Sequence, residues 1–145
     1  MNATTTAPGG LRGSERPLAR RSRMVVGGLY LSTGGIHLGI VAAGTSFYTH
    51  FADHALFGFV RAGWSDVFMA APAFWGLCLF LGETVLGTCL LTGGIWARVG
   101  WAGVIAFHVL LMLFGVGIWL WAIPALAVLV PLARVDWPYL APREA

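Results

Sequence analysis

The sequence predicts an all-α fold, a polytopic membrane four-helix bundle with a short amphipathic helix in its first outer loop. Three observations lead there. Hydrophobic residues make up 58% of the 145-residue chain and charged residues only 10%, where a soluble domain has about 25% charged. A mean hydropathy of +0.79 goes with 20 Gly, 7 Trp and 9 Phe, the enrichment in glycine and aromatics typical of membrane helices. The apolar residues fall in long uncharged runs, and about twenty such residues cross a hydrocarbon layer of ~30 Å. Together these exclude a disordered chain and a water-soluble domain.

Residues 1–22 are polar, rich in Thr, Gly, Arg and Pro, with little to bury, and are expected to form a disordered Arg-rich cytoplasmic tail. The first span is expected at 24–43, uncharged when His37 is neutral. Arg20-Arg21 before it and Val41-Ala42-Ala43 at its end imitate a twin-arginine signal with a cleavage site. That run is longer than a usual signal core, however, and three more spans follow it.

In the connection after it, Tyr48, Phe51, Ala52, Ala55, Leu56, Phe59 and Val60 recur at helical spacing, while His50, Asp53, His54 and Arg61 take the other face. This predicts a short amphipathic helix lying at the outer interface and capping the bundle. His50 and His54, four residues apart with Asp53 between them, offer metal-ligand chemistry, but no third and fourth ligands at metal-site spacing accompany them, and solvated polar residues are the commoner outcome.

The second span is expected at 70–91, with Glu83 its only charge. Arg98 then closes a short Thr-Gly-Gly turn. From Val99 to Ala133 no residue carries a formal charge, a stretch of about 52 Å as one helix. It must fold back, near Gly115 to Trp121, giving spans at 99–116 and 120–134, with Pro124 in the first turn or two of the last, where its missing N–H costs least. Residues 137–145 form a C-terminal tail.

All nine basic residues are arginine. With both termini inside, the tail's Arg12, Arg16, Arg20, Arg21 and Arg23 join Arg98, Arg134 and Arg143 on the cytoplasmic side, against Arg61 alone outside. A bacterial inner-membrane location with cytoplasmic termini is therefore expected. The tail arginines read as an anchor on anionic lipid rather than as a nucleic-acid surface. Cys78 and Cys89 lie eleven residues apart in one span, about 16 Å along a helix, too far for a disulfide.

Glu83 carries the strongest physical claim to a function, because an ionised carboxylate at mid-membrane costs several kcal/mol unless it is paired or protonated. On a helical wheel Gly76, Glu83, Gly87 and Gly94 fall within about 60°, a small-residue stripe suited to close helix contact. Gly28, Ser32, Gly35 and Gly39 suggest a matching seam on the first span. His37 and His108 fall at a depth within ~5–10 Å of Glu83. A buried cluster of His37, Glu83 and His108, joined by Tyr30, is therefore expected as the catalytic and cofactor-binding group, able to hold a proton or hydrogen-bond a quinone carbonyl. The competing view is that Glu83 only fixes helix packing and that each histidine is a satisfied packing residue. Two histidines on different helices also suit axial ligation of a b-type haem, though the short third and fourth spans leave little room. No P-loop, GxGxxG turn, HExxH or GxSxG occurs, which argues against an autonomous hydrolase or nucleotide enzyme.

The stretch Phe74 to Arg98, FWGLCLFLGETVLGTCLLTGGIWAR, resembles the DoxX-like family of small bacterial membrane proteins. The matching positions are Glu83, Gly87, Leu90, Leu91, Gly93, Gly94 and Arg98. Arg23, Gly27 or Gly28 and the Gly34-Gly35-Ile36-His37 segment agree loosely with the first span, and Arg134-Val135-Asp136 with the end after the fourth. The resemblance implies a four-helix membrane protein, a small subunit or accessory component of a quinone-linked redox system, with Glu83 as the functional position. The Arg-rich tail and His-containing loop depart from the family, and neither supports thiosulfate as substrate. Expected partners are the bilayer, other membrane or membrane-associated redox proteins, and in principle a second copy of the chain; nucleic acid is not expected. The competing function is a non-catalytic scaffold that recruits a partner through the outer loop and the aromatics around Trp64. A small transporter is weakened by the single acidic group in the spans and the lack of an internal repeat.

Overall fold

The structure, a computed structural model, describes residues 10–140, with side-chain surroundings from Pro17 onward. The fold is all-helical: α1 (Gly10–Ala43), α2 (Gly58–Gly63), α3 (Pro72–Thr92), α4 (Gly94–Leu111) and α5 (Val116–Asp136), with short 3₁₀ and π-helical turns between and after them. Four of these helices are long and apolar enough to cross a membrane, and the architecture is consistent with a membrane-spanning bundle. α1 packs on α3, α3 on α4, α4 on α5 and α5 back on α1. The core between them is built from Val26, Tyr30, Leu90, Trp101, Val104 and Leu129.

Several boundaries move from their expected places, each for a local reason. Helix α1 begins at Gly10, so residues 10–22, expected to be disordered, are helical; residues 1–9 lie outside the described residues. Leu, Ala and Arg are good helix formers, and extending an existing helix costs far less than nucleating one. Pro72 at the first position of α3 sets its start, since proline lacks only an N–H that a helix leaves unpaired there.

The α3–α4 connection is Gly93-Gly94, with φ of 88° and 56°, a backbone region glycine enters without penalty. Arg98 therefore lies inside α4 rather than closing the turn. At the next reversal a 3₁₀ turn, Met112–Phe114, and Gly115 at φ 91° suffice. Helix α5 accordingly starts at Val116, before the expected 120, and is 21 residues long. Pro124 then sits well inside α5, not in its first turns, and the Leu120 carbonyl loses its helical donor. At the other end of α5, Trp137–Leu140 forms a 3₁₀ turn with Leu140 buried, so this part of the expected tail is packed; residues 141–145 lie outside the described residues.

The contact between α1 and α3 is the broadest in the molecule, and glycine makes it possible. A Cβ on Gly27 would stand 3.0 Å from the Gly87 carbonyl oxygen, and one on Gly87 would stand 2.8 Å from the Gly27 oxygen. The two backbones thus touch directly. The stripe Gly76, Glu83, Gly87 and Leu90 of α3 is buried. On α1, however, the seam is Gly27, Tyr30, Gly34 and His37, at the i, i+3, i+7, i+10 spacing of one helical face. Gly28, Gly35 and Gly39, expected to form it, face open space. The seam used lies one residue earlier, at Gly27 and Gly34, and it brings Tyr30 and His37 inward.

The first connecting loop is not one amphipathic helix over 48–60. It is a 3₁₀ turn at Thr45–Tyr48, a series of hydrogen-bonded turns, and only then α2, followed by a π-helical turn at Trp64–Phe68. Tyr48, Ala52 and Ala55 are buried as expected, but Leu56 and Phe59 are exposed. The loop docks on the α4–α5 turn through Leu56 N–H to Leu113 O at 2.9 Å. A Cβ on Gly115 would collide with the His54 carbonyl. Phe51, Trp64, Phe68 and Phe114 pack into an aromatic cap, Trp64 stacked on Phe68 at 3.8 Å and Phe51 edge-on to Phe114 at 4.9 Å between centroids.

Candidate functional site

Beneath that cap lies a cavity of about 880 Å³ with an overwhelmingly apolar wall. Tyr30 and His37 reach it from α1, Glu83 from α3 and His108 from α4, so all four residues expected to cluster share one space. They do so as two pairs rather than as a single group.

The first pair is Glu83 with His37. Glu83 is 6% exposed. Its Oε1 lies 3.5 Å from His37 Nε2, while Oε2 is buried with no hydrogen-bond partner. Gly34 makes room for it: a Cβ there would stand 3.4 Å from the Glu83 Cβ. The other His37 nitrogen, Nδ1, lies 2.8 Å from the Tyr48 hydroxyl, and the two rings stack at 6.0 Å. Burial, and after it the negative charge of Glu83, push the Tyr48 hydroxyl above its ordinary range. A hydroxyl that keeps its proton donates to Nδ1, which leaves Nε2–H directed at the carboxylate. Tyr48 in turn is held by the cap, since Trp64 Nε1–H donates to its carbonyl at 2.9 Å.

The second pair is Tyr30 with His108. His108 Nδ1 lies 2.9 Å from the Val104 carbonyl and 3.1 Å from the Tyr30 hydroxyl. A carbonyl only accepts, so Nδ1 carries the hydrogen and Nε2 becomes the acceptor of the neutral ring. Tyr30, expected to join the whole cluster, is thus paired with His108. The Trp121 ring lies 6.3 Å from that of His108.

Both nitrogens of His37 are engaged, by Tyr48 and Glu83, whereas an axial haem ligand needs a free nitrogen facing iron. The donor set therefore does not suit a bis-histidine haem. The cavity holds an unpartnered carboxylate oxygen, Glu83 Oε2, within an apolar wall. His50 and His54 do not enter the cavity. His50 Nδ1 pairs with Asp53 Oδ2 at 2.9 Å on the exposed face of the loop, and among the described residues no group of three or more His, Cys, Asp or Glu side chains converges as a metal site. Cys78 and Cys89 are free thiols, and Cys78 lines the cavity. Trp64, near which the competing scaffold reading put a recruitment surface, packs against Phe51, Phe68 and Phe114 in the cap.

Two features escaped the sequence reading. Tyr48 appeared only as part of an apolar face, because nothing in the pattern shows that a loop hydroxyl returns to His37. Asp136 is 1% exposed at the opposite, arginine-bearing end, where it accepts from Trp101 Nε1–H at 2.8 Å and pairs with Arg23 at 3.4 Å. Arg98 lies over the Trp137 ring at 5.3 Å beside it. This network ties α1, α4 and α5 together below the cavity. The available signal was an acidic residue following the last apolar run, read only as part of a resemblance. Comparison with family models, curated proteins and solved structures returns no match for this chain.

Proposed function

We propose that this chain is a DoxX-like integral membrane protein acting as a small subunit or accessory component of a membrane quinone-linked redox system, in a bacterial inner membrane with both termini cytoplasmic. The observation that carries this reading is the unpartnered Glu83 Oε2 in an apolar cavity at mid-span. A buried carboxylate oxygen without a partner costs several kcal/mol, and a ligand hydroxyl or carbonyl with a shared proton would remove that cost. A bound quinone supplies two-electron, two-proton chemistry at its ring oxygens. Glu83 would hold or release the proton at one of them, with His37 Nε2–H steadying the carboxylate. Tyr30 and His108 would orient the ring, and the aromatic cap would exclude water from the loop side. An even number of spans, as the four long helices among the described residues would make, would put both chain ends on one side, and the bias of Arg23, Arg98 and Arg134 toward that end supports a cytoplasmic placement.

Purification in mild detergent, with extraction and analysis of bound cofactor and of co-purifying protein, tests the reading. A quinone and a redox partner are expected in the eluate. A preparation without either contradicts it.

A further inference from the structure

Part of the cavity wall is made of residues that are themselves exposed on the outside of the bundle. The aromatic cap closes the loop end, and Val26, Leu90, Trp101 and Leu129 fill the space toward the arginine-bearing end. Between α1 and α5 the wall thins. Leu29 of α1 and Trp121 and Val128 of α5 all line the cavity, yet 57%, 63% and 57% of their surfaces are exposed. The two helices are tied toward the arginine-bearing end through Arg23 and Asp136 at 3.4 Å. Leu29 and Val128 lie near the middle of the spans Pro17–Ala43 and Val116–Leu140, so the gap opens at the depth of acyl chains rather than of water. Pro124, beside the gap on α5, leaves the Leu120 carbonyl without its helical donor, a place where a helix wall yields.

We infer that this gap between α1 and α5 is a ligand entrance from within the bilayer, and that the site takes a head-and-tail amphiphile, its polar head at Glu83 and its apolar tail lying between Leu29 and Val128. For the identity of the head as a quinone ring this rests on the function proposed above; the entrance and the tail follow from the geometry alone. Size supports the class. Pockets of about 300–1,000 Å³ hold drug-sized ligands, and at about 880 Å³ a single ring would leave much of the cavity empty, whereas a ring with a prenyl or alkyl chain fills it and continues through the gap. A free water-soluble quinone has no use for such a mouth.

The test uses the full-length protein in lipid nanodiscs containing a palmitic-acid analogue that carries an alkyl diazirine, which on illumination labels carboxyl groups it can reach. Glu83 is buried, so an acyl chain gets to it through the cavity. Mass spectrometry is expected to find the label on Glu83. Leu29→Trp and Val128→Trp, each filling the mouth with an indole, should reduce that labelling by about tenfold, since close-packed side chains leave no room for a chain. Trp121→Ala should raise it, and Ile36→Trp, an exposed site on α1 outside the cavity, should leave it unchanged. Thermal midpoints within a few degrees of the parent show that the variants fold, and because the mouth residues are exposed each substitution stands as a separate trial. A quinone bearing a decyl chain should compete with the label. Labelling that the mouth variants reduce but the quinone does not displace keeps the entrance and removes the quinone reading. Absent labelling of Glu83, or labelling indifferent to Leu29→Trp and Val128→Trp, overturns the entrance.

Discussion

A carboxyl group set in an apolar cavity is a poor way to stabilise a helix pair, and the proposed function gives Glu83 a ligand to bind. Removing one partner of a buried polar pair leaves the other unsatisfied, whereas an isosteric amide keeps an acceptor for His37 Nε2–H. Glu83→Gln is therefore expected to leave the thermal midpoint in detergent within a few degrees of the parent while weakening ligand binding; a midpoint much lower would mean that the Glu83 charge serves packing. Asp136 is the contrast. Both its interactions, with Trp101 and Arg23, are made within the protein, so Asp136→Ala should cost about 2–3 kcal/mol, read as a lower unfolding midpoint. An unchanged midpoint would show that the tie is idle. Glu83 was legible in the sequence because it is the one acidic residue inside the expected spans. Asp136 was not, because a carboxylate beside a helix end is ordinary until the fold brings Trp101 and Arg23 to it. His37, Tyr30 and His108 were legible as polar residues at similar depth, but which pairs with which depends on helix rotation, and periodicity alone leaves that open.

At the level of elements, the four long helices follow from apolar run length, and their ends from glycine and proline. What misled was spacing that two structures satisfy. Apolar residues three and four apart in 48–60 suit an amphipathic helix, yet successive i+3 turns bury Tyr48, Ala52 and Ala55 just as well. In the glycine-rich first span the expected seam at Gly28 and Gly35 is one residue off, because Gly27 and Gly34 are the glycines that lie against α3. The α4–α5 reversal is the most constrained connection. Gly115 combines φ 91° with contact to the His54 carbonyl, and a side chain there meets both strain and collision. Gly115→Ala should destabilise the protein by about 1–3 kcal/mol and loosen the cap, seen as faster amide exchange in the loop at Tyr48–Leu56. Exchange unchanged from the parent would show that the cap does not depend on this turn.

On the scale of the whole molecule, the parts form one arrangement: an arginine-bearing end pinned by Asp136, a glycine-tight α1–α3 contact, an aromatic cap, and between them a cavity whose free polar atoms face an apolar space. The sequence could announce a membrane protein and its few charges, but a cavity is a volume left by four helices packing together, and no single segment encodes it. The central claim is that this cavity binds a quinone ring at Glu83. It is tested most directly by titrating the purified protein with a decyl-bearing benzoquinone and following quenching of tryptophan fluorescence, since Trp64 and Trp121 line the cavity. The account predicts saturable binding that Glu83→Gln weakens by about 10- to 100-fold, the value of a hydrogen bond to a charged group, with helical content retained. Binding of equal strength in the parent and in Glu83→Gln, or no saturable binding in the parent, would contradict it.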